Sequence, residues 1–297
     1  MASTDFQVLS EVPNELWLQI ISHYAYSFDF HCPLLRQEDR KDRGPLRQTL
    51  RSLSQISSTL RALTIPFLWE RFDISESIVQ PPSELKLHLL PHIKSVHIWW
   101  ENRSPTEVET LALVGFLKTL PKLIGLQIEV YDTTQTFTRV LGSASLPNVT
   151  TLSIPDSLHG IFYAFPNLTT LAFPSLFFDS PALEPAKTHF PHLEALIGLR
   201  FLNDNDHENL AQDFVDLRVL AVASVLKSKG VVSRLRAFKN LNELSLFDGI
   251  GSMALPLEEL VEGGRAVLRA SHARGSKFLR VWKDDQAGPR LIHFERC

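Results

Sequence analysis

Cysteine is nearly missing from this chain: Cys32 and Cys297 are the only two in 297 residues. A disulfide framework needs more, and no C-x-x-C pair occurs, so neither a stapled secreted scaffold nor a cysteine-built zinc site is expected. Long apolar runs are missing too, and no stretch approaches the roughly 18 residues that a membrane helix requires. The opening MASTDFQVLSEV has no basic stretch ahead of an apolar core, so no secretory leader is expected. The N-x-T triplets at Asn148 and Asn167 then read as chance matches. An intracellular setting, cytoplasm or nucleus, is the expectation.

Charge of one sign is scarce. The net charge of −3 argues against a general nucleic-acid binder, and no nucleic-acid or membrane partner is expected. The balance is uneven, however. From Arg265 onward eight Lys/Arg stand against three Asp/Glu, a local +5, which leaves −8 for the remainder. A solvated terminal cap explains that excess, as does a surface for an acidic partner. Signatures of catalysis are absent as well: no G-x-S-x-G, no G-x-x-x-x-G-K and no H-E-x-x-H. Gly263-Gly264 lies in no dinucleotide fingerprint, and His23, His31 and Cys32 beside a charged insertion read as surface residues. No catalytic, cofactor-binding or metal-ligating residue is assigned, and the chain is not expected to be an enzyme.

What the sequence does contain begins at Leu9. Pro13 precedes Leu16, Trp17, Ile20, Ile21 and Tyr24, an apolar stripe at helical spacing, and proline is tolerated in a first helical turn. Leu46, Leu50, Leu53, Ile56, Leu60 and Leu63 make a second stripe. Ser57, Ser58 and Thr59 in its middle suit a helix start, so two helices with a tight junction are expected there. Pro66 is expected to end or redirect the second of them. Between the stripes, residues 27–44 end in RQEDRKDR, too charged to bury, and predict an exposed insertion. Three short helices bury little alone and need a partner or a neighbouring domain.

These residues carry a resemblance. Val12-Pro13-x-Glu15-Leu16 with Ile20-Ile21, then Leu53-x-x-Ile56-Ser57-x-x-Leu60-Arg61 and Phe67-Leu68-Trp69, resemble an F-box, in the form found in the large F-box families of mushroom-type fungi. Valine stands at residue 12 where leucine is usual. The resemblance implies docking onto a Skp-type adaptor, and through it a cullin, with Val12, Pro13, Leu16, Ile20, Leu53, Ile56, Leu60 and Trp69 building the docking module.

After Ile74 a degenerate phrase recurs. It reads Leu90-Pro91-x-Ile93-x-x-Val96-x-Ile98, and returns at Leu120, Leu146, Phe165 and Phe190. At Phe214 and Phe238 it keeps its frame without the proline, and successive units lie 19 to 30 residues apart. Seven such units resemble leucine-rich repeats. Each ends in alternating apolar positions, as a short strand requires, and none can bury its face alone. Helical segments are expected at 106–119, 207–214 and 230–238, and a terminal strand or hairpin from Lys277 to Trp282 and Leu291 to Phe294.

The expected organisation is therefore α/β: a tail over 1–8, an F-box-like helical module over 9–75, and an irregular leucine-rich-repeat solenoid over 76–297. Short parallel strands line its inside, helices or loops its outside, and a cap begins near 265. Val96, Leu126, Leu152, Leu171, Leu196, Leu220 and Leu244 should form one buried ladder, their next neighbours an open face. His97, Trp99, Gln127, Glu129, Ile197, Leu199 and Phe247 on that face are the candidate target-binding residues, although a covering loop or tail would equally explain the Ile197 patch. Of Trp99 and Trp100, one must be core. Together the two resemblances imply a substrate receptor of a Skp–cullin–F-box ubiquitin ligase, its protein target unidentified. The alternative is a repeat-built interaction protein whose F-box-like helices only cap the solenoid.

Overall fold

A computed structural model describes residues 13–25, 47–75, 87–100, 103–130, 135–173, 182–199, 206–222, 232, 234–248, 256–285 and 288–297. Val12, the tail over 1–8 and the insertion over 27–44 lie outside these residues. The helices are α1 (Asn14–Ala25), α2 (residues 47–56), α3 (Ser58–Leu68), α4 (Glu107–Lys118), α5 (Gln135–Gly142), α6 (Leu183–His189), α7 (Asp206–Asp213) and α8 (Leu257–Ala270). The strands are β1 (Arg71–Ser75), β2 (Ser95–Trp100), β3 (Gly125–Val130), β4 (Thr151–Ser153), β5 (Thr170–Ala172), β6 (Ala195–Leu199), β7 (Val219–Val222), β8 (Glu243–Asp248), β9 (Phe278–Asp285) and β10 (Gly288–Arg296).

The junction expected near Ser57 is there. Ser57 caps α3, its hydroxyl accepting from the Leu60 N–H at 3.1 Å. Pro66 does not end that helix, which runs on to Leu68. Proline removes only its own N–H, and the next turn still closes through Trp69 N–H to the Ile65 carbonyl at 3.1 Å. A second cap opens α4: Thr106 accepts from the Glu109 N–H, and the Glu109 carboxylate accepts from the Thr106 N–H.

The strands form one ten-stranded sheet in chain order, and the protein is a mixed α/β structure. Neighbours are parallel from β1 to β9, and β10 alone turns back antiparallel on β9. Parallel neighbours need a crossover between them, and each crossover here is a helix, a 3-10 segment or both. The recurring Leu/Phe-Pro-x-Leu phrase is a β-turn: Leu123, Val149, Leu168, Leu193 and Leu217 each donate their N–H to the carbonyl three residues earlier. Proline fits the turn's second position because its fixed φ suits it and no donor is lost. The next strand is then locked to its predecessor by a repeated bond. Gly125, Thr151, Thr170, Ala195, Val219 and Glu243 donate to the carbonyls of Lys94, Ile124, Thr150, Thr169, Glu194 and Arg218 at 2.9–3.0 Å.

This repetition fixes one register. Val96, Leu126, Leu152, Leu171, Leu196, Leu220 and Leu244 pair in a continuous row, as the sequence frame required. Phe72 of β1 and Leu279 of β9 extend the row at its two ends. All nine side chains are buried and join the main core between this face and the helices. Strand β1, inside the segment read as the helical module, was not anticipated; the sheet begins before residue 76.

The other face departs from expectation. His97, Ser153, Ala172, Ile197, Ala221 and Ser245 do occupy the opposite side, but they are buried rather than open. Ala172, Ile197, Ala221 and Phe247 pack with Trp282 into a second, smaller core. Leu199 leaves this face altogether. A bulge between Ile197 and Leu199 breaks the alternation, so Leu199 pairs with Val222 and joins the main core. Gly198 makes the bulge possible, with φ at +84°. A Cβ there would sit 2.1 Å from the Phe173 carbonyl oxygen.

Candidate recognition surfaces

Two surfaces hold the residues singled out from sequence. The first is the helical segment. The Pro13 carbonyl starts α1 by accepting from the N–H groups of Leu16 and Trp17 at 3.0 and 3.2 Å. Helix α1 then packs on α3. Leu50 and Leu60 are buried at 4 % exposure each, whereas Leu16 is 48 % and Ile56 40 % exposed, with Leu18 exposed beside Leu16. Leu53 is half-buried. Trp69 is half-buried too; it packs against the main core and stacks on Phe72 with centroids 6.3 Å apart. The predicted docking set thus divides in two. Leu60 and Trp69 hold the segment together and fasten it to the sheet, while Pro13, Leu16 and Ile56 face outward. Ile20 lies within α1, its side chain outside the described residues.

The segment is fixed to the sheet by charge as well as by Trp69. Arg47 on α2 donates to the Asp73 carboxylate at 3.0 Å and to the Arg71 carbonyl at 2.9 Å. Asp73 also meets the Arg71 side chain at 3.1 Å and His97 Nδ1 at 3.4 Å. On its far side His97 Nε2 lies 2.8 Å from Glu129 Oε1, an oxygen that also accepts from the Gln127 amide at 2.9 Å. Burial works against the charge on Asp73. The hydrogen bond with His97 and the Arg71 and Arg47 guanidiniums outweigh it and hold the carboxyl well below the usual carboxylate range. Because 44 % of the Asp73 side chain is exposed, solvent screens much of that attraction.

This network is the first end of the second sheet face, and it gathers three of the sequence candidates: His97, Gln127 and Glu129. Trp99 stands in the same register row as Glu129 and is half-buried, whereas Trp100 is core. The middle of the face is the small apolar core around Ile197. Phe247, read from sequence as an open anchor, is 4 % exposed and stacks on Trp282 with centroids 5.7 Å apart and planes 6° from parallel. Ile197, Leu199 and Phe247 are therefore packed, not open. The far end of the face comes from β9 and β10. Arg280 pairs with Glu243, and its guanidinium lies 5.8 Å from the Phe294 ring centroid.

The terminal hairpin expected from Lys277 to Trp282 and Leu291 to Phe294 is β9–β10, but sequence reasoning did not place its residues among the candidates, and it missed Asp73 and Arg47. The alternation Phe278, Arg280, Trp282 marks one face of a strand and was a usable signal; Arg47 and Asp73 offered none. Among the described residues no group of three or more His, Cys, Asp or Glu is placed to hold a metal ion. Among them, too, no helix is long and apolar enough to cross a membrane. No protein-family model matches the chain, and no curated protein matches it.

Proposed function

We propose that this protein is the substrate-recognition subunit of a Skp–cullin–F-box ubiquitin ligase, with an F-box over its helical segment and irregular leucine-rich repeats forming its sheet. It recruits and does no chemistry of its own. The exposed aliphatic face of the helical segment carries this reading. Leu16 and Leu18 stand open on α1 and Ile56 on α2, while Leu50 and Leu60 of the same segment are packed. A module that keeps such side chains in water is suited to a permanent protein partner, and the motif resemblance names a Skp-type adaptor as that partner. The in-register strand row supports the repeat reading, and the two ends of the second sheet face, on either side of its packed middle, are the surface for a protein target.

One observation favours the alternative, a repeat-built interaction protein whose helices cap the sheet. Trp69 and Arg47 seat the helical segment against β1, the first strand of the sheet. Capping and docking use different sides of the segment, so the two are separable. Co-purification of the full chain with a Skp-type adaptor tests the choice. The receptor reading expects a stoichiometric complex that is lost on replacing Pro13 and Leu16 with alanine; the capping reading expects no complex.

A further inference from the structure

We propose that the outer end of the second sheet face, on β9 and β10, docks an acidic protein segment that carries an aliphatic or aromatic side chain. This rests on reading that face as the target surface, and it moves the site away from the buried Ile197 and Phe247.

The register builds the patch. Leu291 pairs with Trp282, and Phe294 with Arg280. The three residues from Leu291 to Phe294 would normally put them on opposite faces. A bulge between Leu291 and His293 brings both to the same one. Both are open: Phe294 is 54 % and Leu291 41 % exposed. The Phe294 ring is nevertheless held in place, stacked on Phe278 with centroids 6.1 Å apart and planes 12° from parallel, with the Arg280 guanidinium against it. An exposed ring that is already ordered loses little entropy when a partner covers it.

Charge selects the partner. Arg280 is matched by Glu243, and Glu295 faces the other way, toward Arg265 of α8. Arg296 pairs in register with Phe278 and so stands on the same face as Phe294, and it is exposed. Its guanidinium donates to the Ser276 hydroxyl at 2.6 Å, and among the described residues no carboxylate meets it. Among the described side chains the surplus charge of the patch is therefore positive, within a segment that carries eight basic residues against three acidic ones. A nucleic-acid strand needs a track of several cations. One surplus guanidinium beside two open hydrophobic side chains fits a carboxylate next to an apolar residue on a protein.

Selection of a displayed random-peptide library against the full chain tests this. The expected pool combines Asp or Glu with Leu, Ile or Phe. A synthetic representative should lose about tenfold in affinity with Phe294→Ala, and about as much with Arg296→Gln. Both variants should keep the wild-type melting midpoint, since the altered side chains are exposed. An unenriched pool, a basic or uncharged one, or equal affinity for the variants overturns the proposal. So does tighter binding of duplex DNA or phosphatidylserine vesicles through the same residues. Adaptor binding is not part of this readout, so failure of the receptor reading and failure of this site are told apart.

Discussion

The helical segment and the sheet place their leucines in opposite ways. In the sheet, nine successive strands hand one apolar side chain each to a single buried row, and the crossovers close over it. In the helical segment, Leu50 and Leu60 are buried while Leu16, Leu18 and Ile56 are left in water. The sheet is complete because each unit covers its neighbour. Among the described residues nothing covers Leu16, Leu18 and Ile56 on the outer side of the helices. The contrast separates a scaffold, where substitutions should cost stability, from the proposed docking face, where they should cost binding.

The largest effect is expected in the row. Leu171→Ala should cost about 2–5 kcal/mol in chemical denaturation, because a fully buried leucine site would be emptied between two strands that cannot close the gap. A loss near that of a surface residue would break the comparison at its strongest point. Gly198→Ala comes next, at about 1–3 kcal/mol for a positive-φ position. The added Cβ would also meet the Phe173 carbonyl, so the β5 end must shift. The same method reads it, and an unchanged midpoint would mean that the bulge is not needed to turn Leu199 into the core.

Thr106→Ala should cost roughly 0.5–2 kcal/mol through loss of the α4 cap. Its partner Glu109 adds a pH signature. The hydrogen bond from Arg103 is the main cause that lowers its carboxyl, to about 2, with the Thr106 N–H assisting against burial. A carboxylate with a lowered folded value contributes stability that is full above its unfolded value and lost as pH falls toward the folded one. The melting midpoint should therefore fall between the ordinary carboxylate range and about pH 2, and fall less steeply in Glu109→Gln. Parallel curves for the two proteins would remove Glu109 from the account.

Much of the sheet was legible because its signals are local. The proline phrase is a β-turn, the turn fixes where the strand starts, and strict alternation then sends Val96 through Leu244 to one side. What failed to be legible depends on chain brought from elsewhere. Nothing local says that Ile197 and Phe247 are covered, since Trp282, more than thirty residues beyond Phe247, completes that small core. Gly198 was visible as a glycine, but only the approach of the Phe173 carbonyl shows why the frame slips there. In the helical segment the Ser57 cap could be read directly. Its attachment through Arg47 and Asp73, twenty-six residues apart, could not.

The smallest expected effect on stability bears most on function. Leu16→Asp, at a position 48 % exposed, should change stability by no more than about 0.5 kcal/mol. Calorimetric titration of the purified full chain with a purified Skp-type adaptor measures the central claim. One adaptor should bind per wild-type chain, and binding should be lost with Leu16→Asp or Ile56→Asp while the melting midpoint stays put. A wild-type chain that binds no adaptor, or variants that bind it as tightly as wild type, would contradict it.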